Sequence, residues 1–160
     1  MAITVRRATK LDAAAVARFA VALFEMHTDW DAKRFTQIAT LEGAIGFYGG
    51  RTEAENAAIF VAEDGGRAIG FAYIEYQPVL YAELATRVAW LHDIYVEPDA
   101  RGLGAGKALI EAVRDEAKRL GAEKVLLSVA LGNTHGQKLF EQNGFRTTMY
   151  EMMLELSKRV

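Results

Sequence analysis

Residues 90–109 read WLHDIYVEPDARGLGAGKAL, in which an apolar strand leads into a glycine-rich turn and then into a helix. Successive side chains of a strand point to opposite faces of its sheet. A regular strand over residues 87–96 would place on one face Trp90, His92, Ile94 and Val96, and on the other Leu91, Asp93 and Tyr95. Pro98 ends this strand. From Leu109 to Leu120 apolar residues recur at helical spacing, and Gly121 ends the predicted helix.

The residues after this helix complete a strand–helix–strand unit. Residues 125–130 form a continuous apolar run, which is typical of a strand covered on both faces. Because a helix joins the two strands, we expect a right-handed crossover and parallel pairing. A short helix is expected to start near Asn133 and to stop at Asn143 and Gly144. The alternating residues 150–156 then predict a closing strand.

Turn and cap signals divide the part of the chain before residue 87. Thr9 and Asp12 have the spacing of a capping box at the start of a helix. Gly49 and Gly50 are expected to stop a second helix. The predicted elements are, in order, a strand at residues 3–7, a helix from 11 to about 27, a helix between 35 and 48, two strands at 57–63 and 69–76 that form a hairpin around residues 64–66, and a loop at 78–86.

The order of these elements, β-α-α-β-β-β-α-β-α-β, indicates the fold class. It predicts a mixed α/β fold of the α+β type, with a mostly antiparallel sheet, a central parallel β-α-β unit and helices on both faces. A chain of 160 residues is close to the commonest domain size. We therefore expect one domain over residues 1–160.

Composition and charge exclude several classes of function and of binding site. The 19 Lys and Arg residues against 21 Asp and Glu residues give a net charge of -2, so we expect no nucleic-acid partner. The chain has no cysteine, which removes disulfides, thiolate metal sites and thiol nucleophiles and fits a cytoplasmic protein. We also expect no metal cofactor. No apolar run long enough for a membrane span occurs, and none follows Arg6, Arg7 and Lys10, so we expect neither a membrane partner nor a signal peptide.

The glycine-rich turn from Arg101 to Lys107 has the composition of an anion site. Glycines here let several backbone N–H groups point into one hollow beside the positive end of a helix, where a phosphate binds well. A P-loop does not match, because Arg101 stands where its first glycine belongs and Ala108 follows Lys107. A dinucleotide fingerprint fails because Lys107 or Leu109 takes its third small position. The alternative is a turn that only enters a helix.

Two segments together resemble the sequence motifs of one enzyme family. Residues 90–109, in which Arg101, Gly104 and Gly106 fit the pattern Arg/Gln-x-x-Gly-x-Gly/Ala, are similar to the central motif of the GNAT superfamily of N-acetyltransferases. Residues 133–145, NTHGQKLFEQNGF, resemble its downstream motif. The resemblance implies a GNAT-like fold and an enzyme that moves an acetyl group from acetyl-CoA directly to a primary amine. We expect that amine to belong to a small molecule.

The resemblance also implies which residues surround acetyl-CoA. The backbone of Ile94 and Val96 would meet the pantetheine arm like an extra strand, and the N–H of Ile94 would polarise the thioester carbonyl. The turn would wrap the pyrophosphate, and Asn133 would meet the pantetheine. The expected cofactor-binding residues are Ile94, Tyr95, Val96, Arg101, Gly102, Leu103, Gly104, Ala105, Gly106, Lys107, Asn133 and Phe140.

His92 and Ile94 are the expected catalytic residues. His92 is the first candidate for the base that deprotonates the amine, because an imidazole titrates near neutral pH; the alternative is a half-buried strand histidine bonded to a neighbour. Phe140 stands where the family commonly has a tyrosine that protonates the departing thiolate. Three interpretations follow: Tyr81 or Tyr95 replaces that hydroxyl, water protonates the thiolate, or the chain is a non-catalytic acyl-CoA-binding regulatory module.

The sequence defines the acceptor side and the quaternary structure less closely. Aromatic residues that could line an acceptor pocket, or belong to the core, are Phe24, Trp30, Phe35, Phe47 and Tyr48. Carboxylates that could meet a cationic amine are Asp29, Asp31, Glu42 and Glu83. Met149 and Met153 of the last strand would permit a homodimer through sheet extension.

Overall fold

The computed structural model describes residues 2–156 of the chain. Its strands and helices, in chain order, are β1 (Ile3–Arg7), α1 (Ala13–Trp30), α2 (Leu41–Arg51), β2 (Ala57–Asp64), β3 (Arg67–Leu80), β4 (Ala85–Val96), α3 (Ala105–Arg119), β5 (Lys124–Leu126) and α4 (Thr134–Gln142). Single turns of 3₁₀ helix cover Lys10–Asp12, Tyr81–Glu83 and Pro98–Ala100. The predicted mixed α/β fold class is confirmed.

The five strands form one sheet in the order β1-β2-β3-β4-β5. The first four strands are antiparallel neighbours. β5 pairs in parallel with β4, with Val88 opposite Lys124 and Trp90 opposite Leu126. Parallel strands need a crossover connection, which α3 supplies here. The parallel pairing predicted from the strand–helix–strand pattern is therefore confirmed.

Helices cover both faces of the sheet, as the pattern of elements predicts. On one face α1 and α2 pack on apolar residues of β2 and β3, including Ile59 and Phe71. On the other face Leu109 and Val113 of α3 belong to a cluster with Ile74 of β3. All five of these side chains are less than 2% exposed. The apolar core thus forms two layers, with the sheet between them.

The first helix starts and ends slightly differently from its prediction. The capping box at Thr9 and Asp12 is present, but it caps a 3₁₀ turn that precedes α1. Leu11, the first residue of the predicted helix, lies in this turn and is 95% exposed. α1 extends to Trp30 rather than to about His27. None of the helices within residues 2–156 combines the length and the apolar character that a membrane crossing requires.

The second helix differs more, and its predicted range of 35–48 is wrong at both ends. Thr40 caps α2 by accepting a hydrogen bond from the N–H of Gly43 at 3.1 Å. The helix then continues through both glycines that were expected to stop it. Gly49 lies against α1, where an added Cβ would sit 3.5 Å from the Cβ of Ala13. This packing against α1 offsets the roughly 1 kcal/mol by which glycine disfavours a helix.

Three predicted strand limits also need correction. β3 passes through Pro78, where we expected a loop. Its ladder with β2 extends only to Glu75, opposite Ala57, so the missing N–H of Pro78 costs no ladder hydrogen bond on that side. β5 covers residues 124–126 instead of 125–130. The closing strand predicted at 150–156 is not formed: these residues have no regular secondary structure and pair with none of the five strands.

Candidate active site

A β-bulge in β4 positions the candidate catalytic residues. Along the β3–β4 ladder Asp93 lies opposite Tyr73, but Leu91 lies opposite the next residue, Ile74. His92 is therefore an extra residue without a partner on β3. Such a bulge breaks the strict alternation of faces. As a result His92 and Asp93 both border one hollow on the face covered by α1 and α2.

The bulge corrects the predicted distribution of side chains along β4. Leu91 and Ile94 pack in the cluster beneath α3, whereas Asp93 is bonded to a residue of α2. The distribution expected for a regular strand, with His92 and Ile94 on one face and Leu91 and Asp93 on the other, is therefore wrong. A bulge is a property of the register between two strands. For that reason the alternation within a single strand cannot indicate it.

The hollow has a volume of about 380 Å³, which lies in the range of small-molecule sites. Its lining residues are the aromatic Phe24, Phe47, Tyr48 and Tyr73 and the polar Arg51, Glu75, His92 and Asp93. A second hollow of about 270 Å³ adjoins it and shares Phe24, Phe47 and Tyr48. Three of the five aromatic residues suggested by the sequence for an acceptor pocket thus line it.

Asp93 is held in the hollow by Tyr48, whose hydroxyl donates a hydrogen bond to the carboxylate at 2.6 Å. Burial raises the pKa of Asp93 to about 6; the hydrogen bond from Tyr48 and the charge of His27 oppose this rise. Burial, and then the charge of Asp93, raise the pKa of the Tyr48 hydroxyl, which therefore stays a donor. Asp93 is mostly ionised at neutral pH yet can take up a proton near it.

His92 stacks on Tyr73, with ring centroids 5.0 Å apart and ring planes 20° apart. The ring of Trp90 lies 6.3 Å away. Partial burial lowers the pKa of His92 from 6.5, and the charge of Glu75 opposes this only in part. The imidazole is consequently neutral at pH 7. Among residues 2–156 it has no hydrogen-bond partner, so both ring nitrogens are available to a bound amine.

Arg51, Tyr73 and Glu75 form a hydrogen-bonded network in the wall of the hollow. Nη2 of Arg51 donates to Oε2 of Glu75 at 2.5 Å, and its Nε donates to the Tyr73 hydroxyl at 2.9 Å. Tyr73 donates in turn to the same Glu75 oxygen at 3.1 Å. Burial and then the charge of Glu75 raise the pKa of Tyr73 to about 12. Because Glu75 neutralises Arg51, Asp93 carries the uncompensated negative charge of the hollow.

The sheet opens between β4 and β5 next to this hollow. The parallel ladder ends where Trp90 lies opposite Leu126, although β4 continues to Val96. Residues 91–96 have no strand partner on that side within the described chain. In an antiparallel pair every second residue of β4 bonds to β3 through its N–H and C=O groups. The N–H and C=O groups of the residues in between face the opening. The predicted pantetheine-binding residues, Ile94 and Val96, lie along this edge.

The glycine-rich turn follows the open edge and leaves room for an anion. Gly102 and Gly104 have φ angles of +79° and +92°, which favour glycine. A Cβ added at either position would meet no atom within 4 Å. Gly104 caps α3 without a side-chain hydrogen bond, so no capping side chain occupies the first N–H groups of the helix. Such a helix N-terminus attracts negative charge.

The two cationic residues of the turn are placed differently. Nε of Arg101 donates to the carbonyl oxygen of Val96 at 3.0 Å, and the guanidinium lies 5.9 Å from the centre of the Tyr95 ring. The side chain of Arg101 therefore ties the turn to the end of β4. The Lys107 side chain is 68% exposed, and its ammonium lies 3.8 Å from Glu111. It is free to move towards an anion at the start of α3.

α4 has a tightly packed N-terminal cap and lies close against α3. Oδ1 of Asn133 caps α4 by accepting a hydrogen bond from the N–H of Gly136 at 2.9 Å. A Cβ at Gly136 would lie 2.5 Å from Nδ2 of Asn133, so a larger residue would displace the cap. Likewise a Cβ at Gly106 of α3 would lie 2.9 Å from Cδ2 of Leu139. These contacts fix the Asn133 cap at the start of α4 and hold α4 against the first turn of α3.

Phe140 and the two candidate tyrosine hydroxyls lie apart. Phe140 is 7% exposed and packs against Phe145, with ring centroids 5.7 Å apart, in the cluster beneath α3. Tyr95 belongs to the cluster on the opposite face of the sheet. Tyr81 is 85% exposed in the 3₁₀ turn between β3 and β4. The fold therefore packs neither hydroxyl beside Phe140.

Comparison with known proteins assigns these elements to one family. The model of the acetyltransferase (GNAT) family matches residues 18–145, a span that contains the hollow, the open edge of β4, the glycine-rich turn and α4. The chain belongs to the GNAT family of acetyltransferases. The enzyme class predicted from the two motifs, an acyltransferase of the N-acetyltransferase type, is thereby confirmed.

Individual GNAT proteins resemble this chain to different extents. An uncharacterised N-acetyltransferase of Bacillus subtilis is 33% identical over 141 residues, 88% of each chain. The glucosamine 6-phosphate N-acetyltransferase of Trypanosoma brucei brucei is 31% identical over 98 residues, 61% of this chain and 64% of that protein. The solved structure of the aminoglycoside N-acetyltransferase AAC(6')-Iy with the bisubstrate analogue CoA-S-monomethyl-acetylneamine covers 100% of both chains at a TM-score of 0.76 and 24% identity. This structural similarity confirms the GNAT-like fold.

The GNAT motifs do not indicate the polar wall of the hollow. Arg51, Tyr73 and Glu75 lie outside residues 90–109 and 133–145. One signal could have found part of this wall: Tyr73, Glu75 and Gln77 alternate along β3 directly after the apolar residues 68–72. A carboxylate at such a position indicates a polar site on one face of the sheet.

The remaining acceptor candidates lie outside both hollows of this GNAT protein. Trp30 and Phe35 pack edge-on against His27, each with ring centroids 4.9 Å from the imidazole. The carboxylate candidates that also line neither hollow are Asp29, Asp31, Glu42 and Glu83. Glu75 and Asp93 are the carboxylates that face the larger hollow.

Proposed function

We propose that this protein is an acetyl-CoA-dependent N-acetyltransferase that transfers the acetyl group directly to the primary amine of a small molecule. One arrangement supports this most strongly. The open edge of β4 runs from the bulge, where His92 and Asp93 border the hollow, to the turn at Gly102 and Gly104. Acetyl-CoA bound along this edge would have its pyrophosphate at the turn and its thioester near the bulge.

The hollow supplies the groups that acetylation of an amine requires. An alkylammonium with a pKa of about 10.4 is neutral in roughly one molecule in 10³ at pH 7, so the amine must lose a proton before it attacks. Asp93 holds the ammonium by its charge, and the neutral His92 accepts the proton. The N–H of Ile94 donates to the thioester oxygen, where negative charge develops.

The transfer needs no covalent intermediate on the protein. The amine nitrogen forms a bond to the thioester carbonyl carbon, the C–S bond breaks, and the sulfur leaves with the bonding electron pair. A thiol has a pKa of about 8.5, so the thiolate can take its proton from water. The absence of a hydroxyl at Phe140 is compatible with this course.

The acceptor we propose is a small cationic amine. Arg51 contributes one positive charge to the lining of the hollow, while Glu75 and Asp93 contribute two negative charges, and the neutral His92 leaves one net negative charge. The aromatic faces around these groups also attract cations. Support comes from two GNAT proteins whose named acceptors are amine-bearing small molecules, glucosamine 6-phosphate and an aminoglycoside.

The alternative that the sequence leaves open, a non-catalytic, acyl-CoA-binding regulatory module, would depart from the acyltransferase class of the family. The observation that favours it is the buried Phe140, which gives the cofactor side of the fold no acid for the thiolate. Binding of CoA would then be the whole function, and the hollow would hold a regulatory ligand or none.

Two measurements on the same protein distinguish these functions. Free thiol is followed colorimetrically while acetyl-CoA is incubated with a panel of small primary amines and a lysine peptide; the chain itself has no cysteine, so it adds no thiol signal. Thermal stabilisation by CoA is measured in parallel. Thiol release with a small amine supports the enzyme, and stabilisation without release for any amine supports the module. If CoA neither stabilises the protein nor is released as free thiol, both functions are contradicted.

A further inference from the structure

The second hollow, of about 270 Å³, adjoins the larger hollow in which the proposed reaction takes place. Three aromatic side chains, Phe24, Phe47 and Tyr48, line both hollows. The rest of its lining comes from the loop after α1 and from the start of α2: Ile38, Ala39, Thr40, Gly43 and Ala44. A molecule bound in the larger hollow therefore has a second space beside it.

The lining of the second hollow is apolar, unlike that of the larger one. Among the described residues that line it, none carries a charge at pH 7. Its two side-chain hydroxyl groups are already hydrogen-bonded within the protein. Thr40 accepts from the N–H of Gly43 at 3.1 Å, and Tyr48 donates to Asp93 at 2.6 Å. A polar group placed here would lose water with few partners in return, whereas an apolar group leaves water favourably.

Two apolar side chains that border this hollow are still exposed. The residue surface is 87% exposed for Ile38 and 52% exposed for Phe47. The ring of Phe47 meets Tyr48 and Tyr73 edge-on, with centroids 5.0 and 5.9 Å apart, so the protein covers only part of it. A ligand that covers Ile38 and Phe47 would be stabilised by the apolar surface that it removes from water.

The polar wall of the larger hollow offers little to an acceptor rich in hydroxyl groups. Both oxygens of Glu75 accept hydrogen bonds from side chains of the protein, Oε1 from Gln77 and Oε2 from Arg51 and Tyr73. The Tyr73 hydroxyl also accepts from Nε of Arg51. In the proposed reaction His92 and Asp93 bind the amine itself. The hydroxyl groups of a sugar would therefore find few partners in either hollow.

We propose that the acceptor is a primary amine with a compact apolar body, such as one aromatic ring, whose ammonium binds Asp93 and whose apolar part fills the second hollow. This inference rests on the proposed function and names the class of acceptor. Tyr48 connects the two parts, because its hydroxyl bonds to Asp93 and its side chain lines both hollows. The size fits one ring, since an apolar cavity of about 150 Å³ already holds benzene.

The first test compares 2-phenylethylamine with ethylamine, which differs only in lacking the phenyl ring. A single methylene in a hydrophobic pocket changes kcat/KM by roughly 10–200-fold. With acetyl-CoA as donor, kcat/KM for 2-phenylethylamine is therefore expected to exceed that for ethylamine by about 10² or more. Glucosamine is expected to be no better than ethylamine. Equal values for the three amines, or the highest value for glucosamine, overturn this proposal and leave acetyl transfer standing.

The second test alters the hollow in the same assay. Ile38 lines the second hollow but not the larger one, and it is mostly exposed, so Ile38→Asn leaves the core intact. The ratio of kcat/KM for 2-phenylethylamine to that for ethylamine is expected to fall by about 10-fold. Leu41→Asn is the matched control, at a leucine that is 46% exposed and lines neither hollow. An unchanged ratio in Ile38→Asn contradicts the proposal.

A binding measurement separates this proposal from the proposed function. CoA carries no acetyl group, so both amines can be titrated calorimetrically in its presence without reaction. The wild type is expected to bind 2-phenylethylamine about 10² more tightly than ethylamine. This preference without thiol release in the kinetic assay supports the ligand class and contradicts the acetyltransferase. Thiol release without the preference contradicts the ligand class alone, and the absence of both contradicts both proposals.

Discussion

The carboxylate of Asp93 is buried in the folded protein, and its titration makes the free energy of unfolding depend on pH. Its pKa rises from 3.8 to about 6 in the native protein, so between these values the native state binds more protons than the unfolded chain and stability falls as pH rises. The difference corresponds to about 3 kcal/mol. Asp93→Asn removes this titration. As the pH rises from acidic to neutral, the free energy of unfolding of the variant therefore rises by about 3 kcal/mol relative to that of the wild type.

Denaturant unfolding of both proteins from roughly pH 3.5 to 7 measures this difference, because the titration lies inside that window. Asp99→Asn is the matched control, since the Asp99 side chain is 65% exposed and pairs with Arg67 at the surface. The control is expected to follow the wild-type curve. If the stability of Asp93→Asn has the same pH dependence as that of the wild type, Asp93 does not carry a buried charge.

His92 has a separate role in the proposed reaction, and its removal has a different signature. His92→Gln keeps a polar side chain but cannot accept a proton, so kcat is expected to fall by about 10² or more. The pH profile of kcat/KM would also lose an ionisation below pH 6.5, since the pKa of His92 is lowered in the native protein. His135→Gln, at an exposed residue of α4, is the control. An unchanged profile excludes His92 as the base.

The residues of the site were predictable from sequence to different degrees. His92 and the glycines of the turn fall in the motif of residues 90–109, so a chemical role for them could be proposed without coordinates. The environment of Asp93 could not, because its pKa depends on Tyr48, which comes from α2. Such a perturbation arises when distant segments are packed together.

The position of β4 depends on its close approach to β3 at Gly70. A Cβ at Gly70 would lie 2.4 Å from the carbonyl oxygen of Tyr95 and 3.1 Å from the Cα of Val96. Both are backbone atoms, so Gly70→Ala must displace the end of β4. We expect a loss of about 1–3 kcal/mol in stability and weaker binding of acetyl-CoA, measured by denaturant unfolding and by calorimetric titration.

A glycine-to-alanine substitution at a position without close neighbours provides the control. An added Cβ at Gly46 of α2 would meet no atom within 4 Å. Gly46→Ala is therefore expected to stabilise the protein by about 0.5–1 kcal/mol and to leave the affinity for acetyl-CoA unchanged. Wild-type affinity in Gly70→Ala would show that the spacing of β3 and β4 does not set the cofactor site.

Helices and strands whose limits depend on neighbouring residues in the sequence were predicted correctly. The hairpin around residues 64–66 and the parallel strands joined by α3 follow from turn chemistry and periodicity. The range of α2 does not, because Gly49, one of the two glycines expected to stop the helix, packs against α1. The strand at residues 150–156 has the correct pattern but no partner in the described chain. Pattern shows what a segment can form, and the available neighbours decide whether it forms.

The net charge of the whole molecule and the local charge of the proposed cofactor site have opposite signs, which affects the binding of CoA. The chain has a net charge of -2, which by itself would repel the phosphates of CoA. The open turn, the uncapped start of α3 and the exposed Lys107 make a local positive region. At physiological ionic strength charges are screened beyond about 8 Å, so this local region outweighs the net charge.

The whole fold is expected to be stabilised when CoA binds, because the proposed site joins β4, the turn, α3 and α4. At a CoA concentration of about 100 times Kd the free energy of unfolding rises by about 2.7 kcal/mol, which raises Tm by about 5–10 °C in a domain of this size. Pantetheine lacks the pyrophosphate and at the same concentration stabilises the protein less. Differential scanning fluorimetry measures both ligands, and equal shifts would show that the glycine-rich turn does not bind the pyrophosphate.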